Sequence, residues 1–139
     1  MGLFKEFKVV INPFLVPQSF SCALYYDSPS DNMPTYRVKI TVQKKVEPEY
    51  IFDGEVPKQP GKDQPYPICQ IDENEEWIVE KDGKMPEGFC SWAWRDLYKD
   101  LAVLRFGGNF ESWVEPPYMY TACTDGVRPV SFKLEVLKD

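Results

Sequence analysis

The residues of this chain best suited to chemistry are four widely spaced cysteines, Cys22, Cys69, Cys90 and Cys123. No two of them have the CxxC spacing with which one tight turn pre-forms half of a metal site. The sequence contains no histidine. This excludes Ser-His-Asp and Cys-His nucleophile activation, histidine-containing zinc sites and imidazole general bases. Acid–base chemistry would therefore fall to carboxylates, lysines, tyrosines or cysteines.

Cys90 stands where a helix is predicted to begin, in the stretch EGFCSWAWRDLYKDLAVLRFGGNF. A thiol at a helix N-terminus faces unpaired amides and the positive end of the helix dipole, which favours the thiolate. One interpretation is a reactive or metal-binding thiolate, and the other is a small buried apolar residue beneath Trp92 or Trp94. Cys123 ends a predicted strand and Cys69 leads into another. Cys69, Cys90 and Cys123 are therefore candidate ligands of a metal or an iron–sulfur cluster, or members of a redox pair, if the topology brings them together.

Two further groups of residues are candidates for binding. Asp125 and Arg128, with Arg105 on the helix, could form a carboxylate- or anion-binding site, since a planar guanidinium suits such ligands. The alternative places Asp125 in a turn with Arg128 paired to it. Trp92 lies outside the apolar stripe of the helix, and Trp113 and Tyr118 belong to the aromatic segment NFESWVEPPYMY. Exposed aromatic side chains of this kind mark contact surfaces.

The composition limits the class of protein that must position these residues. The chain has 139 residues, with 43% hydrophobic and 15% aromatic side chains, which predicts one packed domain. The net charge of -6 argues against a nucleic-acid partner. No stretch is apolar for the length of a membrane span and no signal-peptide pattern opens the chain, so we expect a cytoplasmic protein with reduced thiols and no membrane insertion.

Hydrophobic periodicity predicts an α+β fold with an antiparallel sheet of four to five strands and one main amphipathic helix. The stretch TYRVKITVQKKV alternates strictly, which indicates a strand with one buried face. Residues 75–80 predict a second strand, and an Asp-Gly turn near residue 125 predicts a hairpin. Residues 91–106 carry an apolar stripe of Trp94, Leu97, Tyr98, Leu101 and Leu104, with Ser91 as the predicted N-cap. We expect an N-terminal extension over residues 1–34, with a candidate strand and a Pro-rich loop, and a single core domain over residues 35–139.

The segments YRVKITVQKK, MPEGFCSWAW, LAVLRFGGNF and ACTDGVRPVSFKLE carry a resemblance to a known family. From Tyr36 onward the chain resembles a family of small, functionally uncharacterised bacterial and archaeal proteins, many from anaerobes. The resemblance implies a shared fold and a cysteine before the second strand at Cys69, and it implies no reaction. Residues 1–34, including Cys22, have no counterpart in the family, and the loop at 54–66 is long.

The leading functional hypothesis is a small non-catalytic accessory protein, since the sequence shows no catalytic constellation. It would dock on a larger protein partner, or on another copy of itself, within a redox or anaerobic enzyme system. Its contact surface would be the aromatic loop and the N-terminal extension. The alternative hypothesis is a metal-binding, iron–sulfur or redox protein that uses the three cysteines of the core domain.

Overall fold

Six elements make up residues 34–138, the part of the chain that the computed structural model describes. They are β1 (Arg37–Lys45), the short helix α1 (Pro48–Ile51), β2 (Glu76–Val79), the main helix α2 (Ser91–Arg105), β3 (Tyr118–Ala122) and β4 (Val130–Leu137). The four strands form one antiparallel sheet in the order β2-β1-β4-β3. The predicted α+β architecture is confirmed. The candidate strand and the Pro-rich loop of the N-terminal extension lie outside the described residues.

The core lies between one face of the sheet and α2. Val38, Ile40 and Val42 of β1 are fully buried, as their alternation predicts. They meet the inward residues of β4, of which Phe132 is the largest, and each such side chain contributes about 1.5–3 kcal/mol by its burial. Alternating side chains thus decide which face of the sheet receives the helix.

The buried face of α2 differs slightly from the predicted stripe. Leu97, Leu101 and Leu104 are buried as expected. Tyr98, however, is 48% exposed and packs against the partly buried Trp94 with ring centroids 5.6 Å apart. Asp100, which lies outside the predicted apolar stripe, is buried, and its carboxylate accepts a 2.6 Å hydrogen bond from the Lys99 ammonium. The helix is therefore rotated so that the buried side of the stripe includes Asp100 and excludes Tyr98.

The other face of the sheet carries polar side chains that pair across strands. Lys39 of β1 lies 3.3 Å from Glu76 of β2 and 3.3 Å from Glu135 of β4. Its hydrogen bonds to Glu76 and then to Glu135 raise the pKa of Lys39 above its ordinary value. Cross-strand pairs of opposite charge of this kind support the register of an antiparallel sheet.

The C-terminal hairpin is formed as predicted, with β3 paired to β4. The strand β4 lies inside the sheet, between β1 and β3, and begins at Val130, directly after Pro129. Pro129 is tolerated because it precedes the first strand residue, Val130, and its carbonyl accepts a hydrogen bond from Val46 at 3.0 Å. Within residues 34–138, no helix has the length and apolar character needed to cross a bilayer.

Candidate functional site: a cleft at the N-terminal end of α2

A cleft of about 420 Å³ opens where the first turn of α2, the β3–β4 turn and the loop before β2 meet. Its volume is within the range of small-molecule and side-chain binding sites. The apolar wall comes from both secondary-structure layers, with Ala93 on the helix and Phe132 on the sheet. The side chains that line the cleft and could bind or react include Tyr66, Cys69, Cys90, Trp92, Cys123 and Arg128.

Cys90 forms the N-cap of α2 and lines the cleft as an exposed free thiol. The prediction of Ser91 as N-cap is wrong by one residue, because the first helical hydrogen bond runs from the Trp94 amide to the Cys90 carbonyl at 2.8 Å. Phe89, directly before the cap, is buried against Trp77 and Phe132 and so fixes where the chain enters the helix. No side-chain hydrogen bond caps this end of the helix.

Cys123 follows β3 and faces the same cleft, half-buried against the core. The amide of Val130 donates a hydrogen bond to its sulfur at 3.3 Å, which holds the side chain in place. The neighbouring residue, Thr124, donates from its amide and its hydroxyl to the Asp96 carboxylate at 2.7 and 2.8 Å. The β3–β4 turn is therefore joined to the second turn of α2.

The Asp96 carboxylate is held in its ionised form by the same contacts. The amide hydrogen bond from Thr124, with smaller contributions from its hydroxyl and from Arg95, lowers the pKa of Asp96 below its ordinary value. A charged acceptor makes stronger hydrogen bonds than a neutral one. The contact between α2 and the turn is therefore strongest when Asp96 is ionised.

Asp125 and Arg128 pair with each other within the turn, which is the second of the two arrangements predicted for them. The Arg128 Nε donates to the Asp125 carboxylate at 3.1 Å, and the amides of Val127 and Arg128 donate to its other oxygen. Partial burial opposes ionisation of Asp125, but these hydrogen bonds outweigh it and lower its pKa. The Arg128 guanidinium also lies 6.0 Å from the centre of the Tyr66 ring. Arg105 is absent from this group and contacts the Lys81 carbonyl at the other end of α2.

The structure brings Cys69, Cys90 and Cys123 to one cleft, from three separate segments of the chain. All three are free thiols. Within the described range of 34–138, however, no group of three or more Cys, Asp or Glu side chains is placed to hold a metal ion. The three thiols therefore share a surface without forming a set of metal ligands.

The predicted interaction residues fall in different places. Trp92, 55% exposed, lines the cleft together with Asp125 and Arg128. Trp113 is 71% exposed on the loop after α2 and does not line this cleft. Tyr118 begins β3 and lines a larger cavity of about 730 Å³ near the C-terminal end of α2. The aromatic residues therefore do not form one continuous surface.

Three residues of this site were not predicted from the sequence. Tyr66 belongs to a long loop, and the only local signal is its position in YPICQ, just before Cys69. Asp96 and Thr124 lie 28 residues apart, and neither has an unusual local pattern. Their pairing depends on how the hairpin meets the helix.

Comparison with known proteins adds no assignment to this geometry. The chain matches no family model, no curated protein and no solved structure. The predicted resemblance to a family of uncharacterised proteins is therefore still a prediction, and the function must be argued from the site.

Proposed function

We propose that this protein is a non-catalytic binding module that docks on a larger protein partner through the cleft at the N-terminal end of α2. The observation that carries the proposal is Trp92, which is more than half exposed at the rim of a cleft with an apolar wall. Tryptophan and arginine beside an apolar pocket are the residues that most often dominate the energy of protein interfaces. The partner would insert an apolar side chain beside Trp92.

The position of Trp92 is supported by its neighbours. The Arg95 guanidinium lies 4.4 Å from the centre of the indole ring, and Arg95 also contacts Asp96 and the Thr124 hydroxyl at 3.2 Å each. These contacts link the exposed indole to the hydrogen-bonded junction between α2 and the hairpin. A side chain already held in place loses less conformational entropy on binding, so more of its contact energy appears as affinity.

The polar rim of the cleft fits the same role. Asp125 and Arg128 are both partly exposed, and they bond each other in the free protein. Their charges are therefore compensated before a partner arrives. A rim of satisfied polar groups around an apolar centre is the usual anatomy of an interface.

The test is the affinity of an isolated partner for matched tryptophan variants. The wild-type chain is used to isolate stoichiometric partners from the organism that encodes it, and each partner is then purified and titrated by calorimetry. We expect W92A to weaken binding about 30-fold, since truncation of a central tryptophan costs about 2 kcal/mol. W113A, which removes an exposed tryptophan outside the cleft, should leave the affinity unchanged. Equal affinities of W92A and wild type, or loss of binding on W113A alone, would refute docking through the cleft.

The same preparation separates docking from the metal-binding alternative. A metal or iron–sulfur cluster on Cys69, Cys90 and Cys123 would give metal content, or visible absorption, in protein isolated without oxygen. The ligand arrangement in residues 34–138 does not favour that alternative. We expect colourless protein without stoichiometric metal.

A further inference from the structure

Three thiols from separate segments line the cleft, and protein docking makes no use of them. Cys90 is exposed at the start of α2, whereas Cys69 and Cys123 are half-buried and pack against the core. Cysteines that take part in thiol–disulfide exchange are typically accessible, and many lie near a second cysteine that resolves the mixed disulfide. The chemistry of these thiols does not depend on the docking of a partner protein.

We propose that the cleft is a thiol–disulfide exchange site, in which Cys90 reacts first with a low-molecular-weight disulfide and Cys123 then resolves the product. Cys90 has the role of the attacking thiol because its side chain is exposed and lines the opening. Its position at the helix N-cap places it beside first-turn amides that no side chain caps. The cleft volume of about 420 Å³ accommodates a small organic disulfide.

Cys123 is assigned as the resolving thiol because hydrogen bonds hold both its sulfur and the residue that follows it. The Val130 amide donates to its sulfur at 3.3 Å. The adjacent Thr124 is joined to Asp96 of the helix by two hydrogen bonds. Cys69 lies on the long loop before β2, and the described residues provide no hydrogen bond to its sulfur. We therefore assign Cys123, which is held by defined contacts, as the resolving thiol.

The reaction balances in two steps. The Cys90 thiolate attacks one sulfur of R–S–S–R, a protein–S–S–R bond forms, and one RS⁻ leaves and takes up a proton. The Cys123 thiolate then attacks the Cys90 sulfur, the Cys90–Cys123 disulfide forms, and the second RS⁻ leaves and is protonated. The protein loses two electrons and two protons, and the disulfide is reduced to two RSH.

The experiment uses the full chain in a C22S background and bis(2-hydroxyethyl) disulfide as the probe. Reduced protein is mixed with the probe without oxygen, quenched with acid, alkylated and mapped by mass spectrometry. We expect a Cys90–Cys123 disulfide as the main product in the parent and in C69S. In C123S the mixed disulfide on Cys90 should accumulate, and in C90S the oxidation of Cys123 should slow by about tenfold or more.

Two controls separate the effect of each substitution on thiol chemistry from its effect on folding. Thermal melts confirm that each variant is folded, and C123A replaces C123S if the serine variant is not. The same reaction in urea gives the rate of each thiol in the unfolded chain. The proposal is overturned if Cys90 pairs with Cys69 in the parent, if C123S and C123A still form an intramolecular disulfide, or if Cys90 reacts no faster than Cys123 in folded C69S.

Discussion

The two ends of α2 differ in how their terminal backbone groups are satisfied. At the C-terminal end, the last backbone carbonyls of the helix accept hydrogen bonds from amides. The Tyr36 amide donates to the Arg105 carbonyl at 2.8 Å, and the amides of Gly107 and Gly108 donate to the Leu104 and Val103 carbonyls at 3.1 and 2.9 Å. At the N-terminal end no side chain caps the helix, and a free thiol takes the capping position.

Cavity size alone would direct attention to the C-terminal end of α2. The larger cavity, about 730 Å³, lies near the C-terminal end and is lined by prolines, glycines and side chains such as Tyr118 and Lys81. Its lining contains no thiol among the described residues. The smaller cleft combines three thiols, an exposed indole and a paired Asp125–Arg128. The residues that line a cavity, and not its volume, indicate what it can bind or do.

The largest effect is expected at the C-terminal end, from G83A. Gly83 has a φ of +71°, and a Cβ there would overlap the guanidinium of the buried Arg105. We expect a loss of about 3 kcal/mol in the free energy of unfolding, measured by urea denaturation, from backbone strain and displacement of a buried cation.

The matched control for this prediction is G61A. Gly61 has nearly the same φ, +73°, and an added Cβ would meet nothing within 4 Å. The free energy of unfolding of G61A should fall by about 1 kcal/mol, which is the cost of the left-handed backbone alone. Equal losses in the two variants would show that Arg105 is not packed beneath Gly83.

A smaller and pH-dependent loss is expected from D96N at the N-terminal end. The folded-state pKa of Asp96 lies below its ordinary value of about 4 because the Thr124 amide bonds the ionised form. Its contribution to stability is therefore complete above that ordinary value and disappears as the pH falls through the lowered pKa. The stability difference between wild type and D96N should be present at neutral pH and shrink in acid.

Denaturation of D96N and D82N from neutral to acidic pH tests whether the ionised form of Asp96 stabilises the fold. Asp82 also has a lowered pKa, from hydrogen bonds to Lys84 only two residues away. D82N should cost less than D96N, since its contact joins no separate elements. A pH-independent loss in D96N would contradict the role of the charged form.

The smallest effect is a gain, expected from C90S. A serine at N-cap can accept a hydrogen bond from the amides of the first turn, which the cysteine does not do in this structure. We expect the free energy of unfolding to rise by about 0.5 kcal/mol, while C90A gives no gain. A loss of stability in C90S would mean that the thiol contributes to packing.

The sequence predicts the elements well because their signals are local. Alternation in β1 and the Asp-Gly turn before β4 predict strands from neighbouring residues. The helix begins at Ser91 as predicted, but the predicted N-cap is one residue late, because buried Phe89, a tertiary contact, decides where helical bonding begins. Burial of Asp100 was missed because helix rotation depends on how the sheet receives the stripe.

Convergence of the cysteines could be suggested by the sequence but not established from it. Cys69, Cys90 and Cys123 line one cleft in a fold that depends on the pairing of β1 with β4, a non-local contact, and on the bonding of the β3–β4 turn to α2 through Asp96. Chain spacing carries no information on either contact. The same limit applies to Tyr66, whose loop has no regular pattern.

The most direct test of an open, thiol-bearing N-terminal end is the alkylation rate of each cysteine in the native chain. Iodoacetamide labelling followed by mass spectrometry gives the rates of Cys69, Cys90 and Cys123 separately, in buffer and in urea. We predict that Cys90 reacts nearly as fast in the native chain as in the unfolded one, and that the other two are slowed about tenfold or more. Protection of Cys90 equal to that of Cys69 and Cys123 would contradict the account.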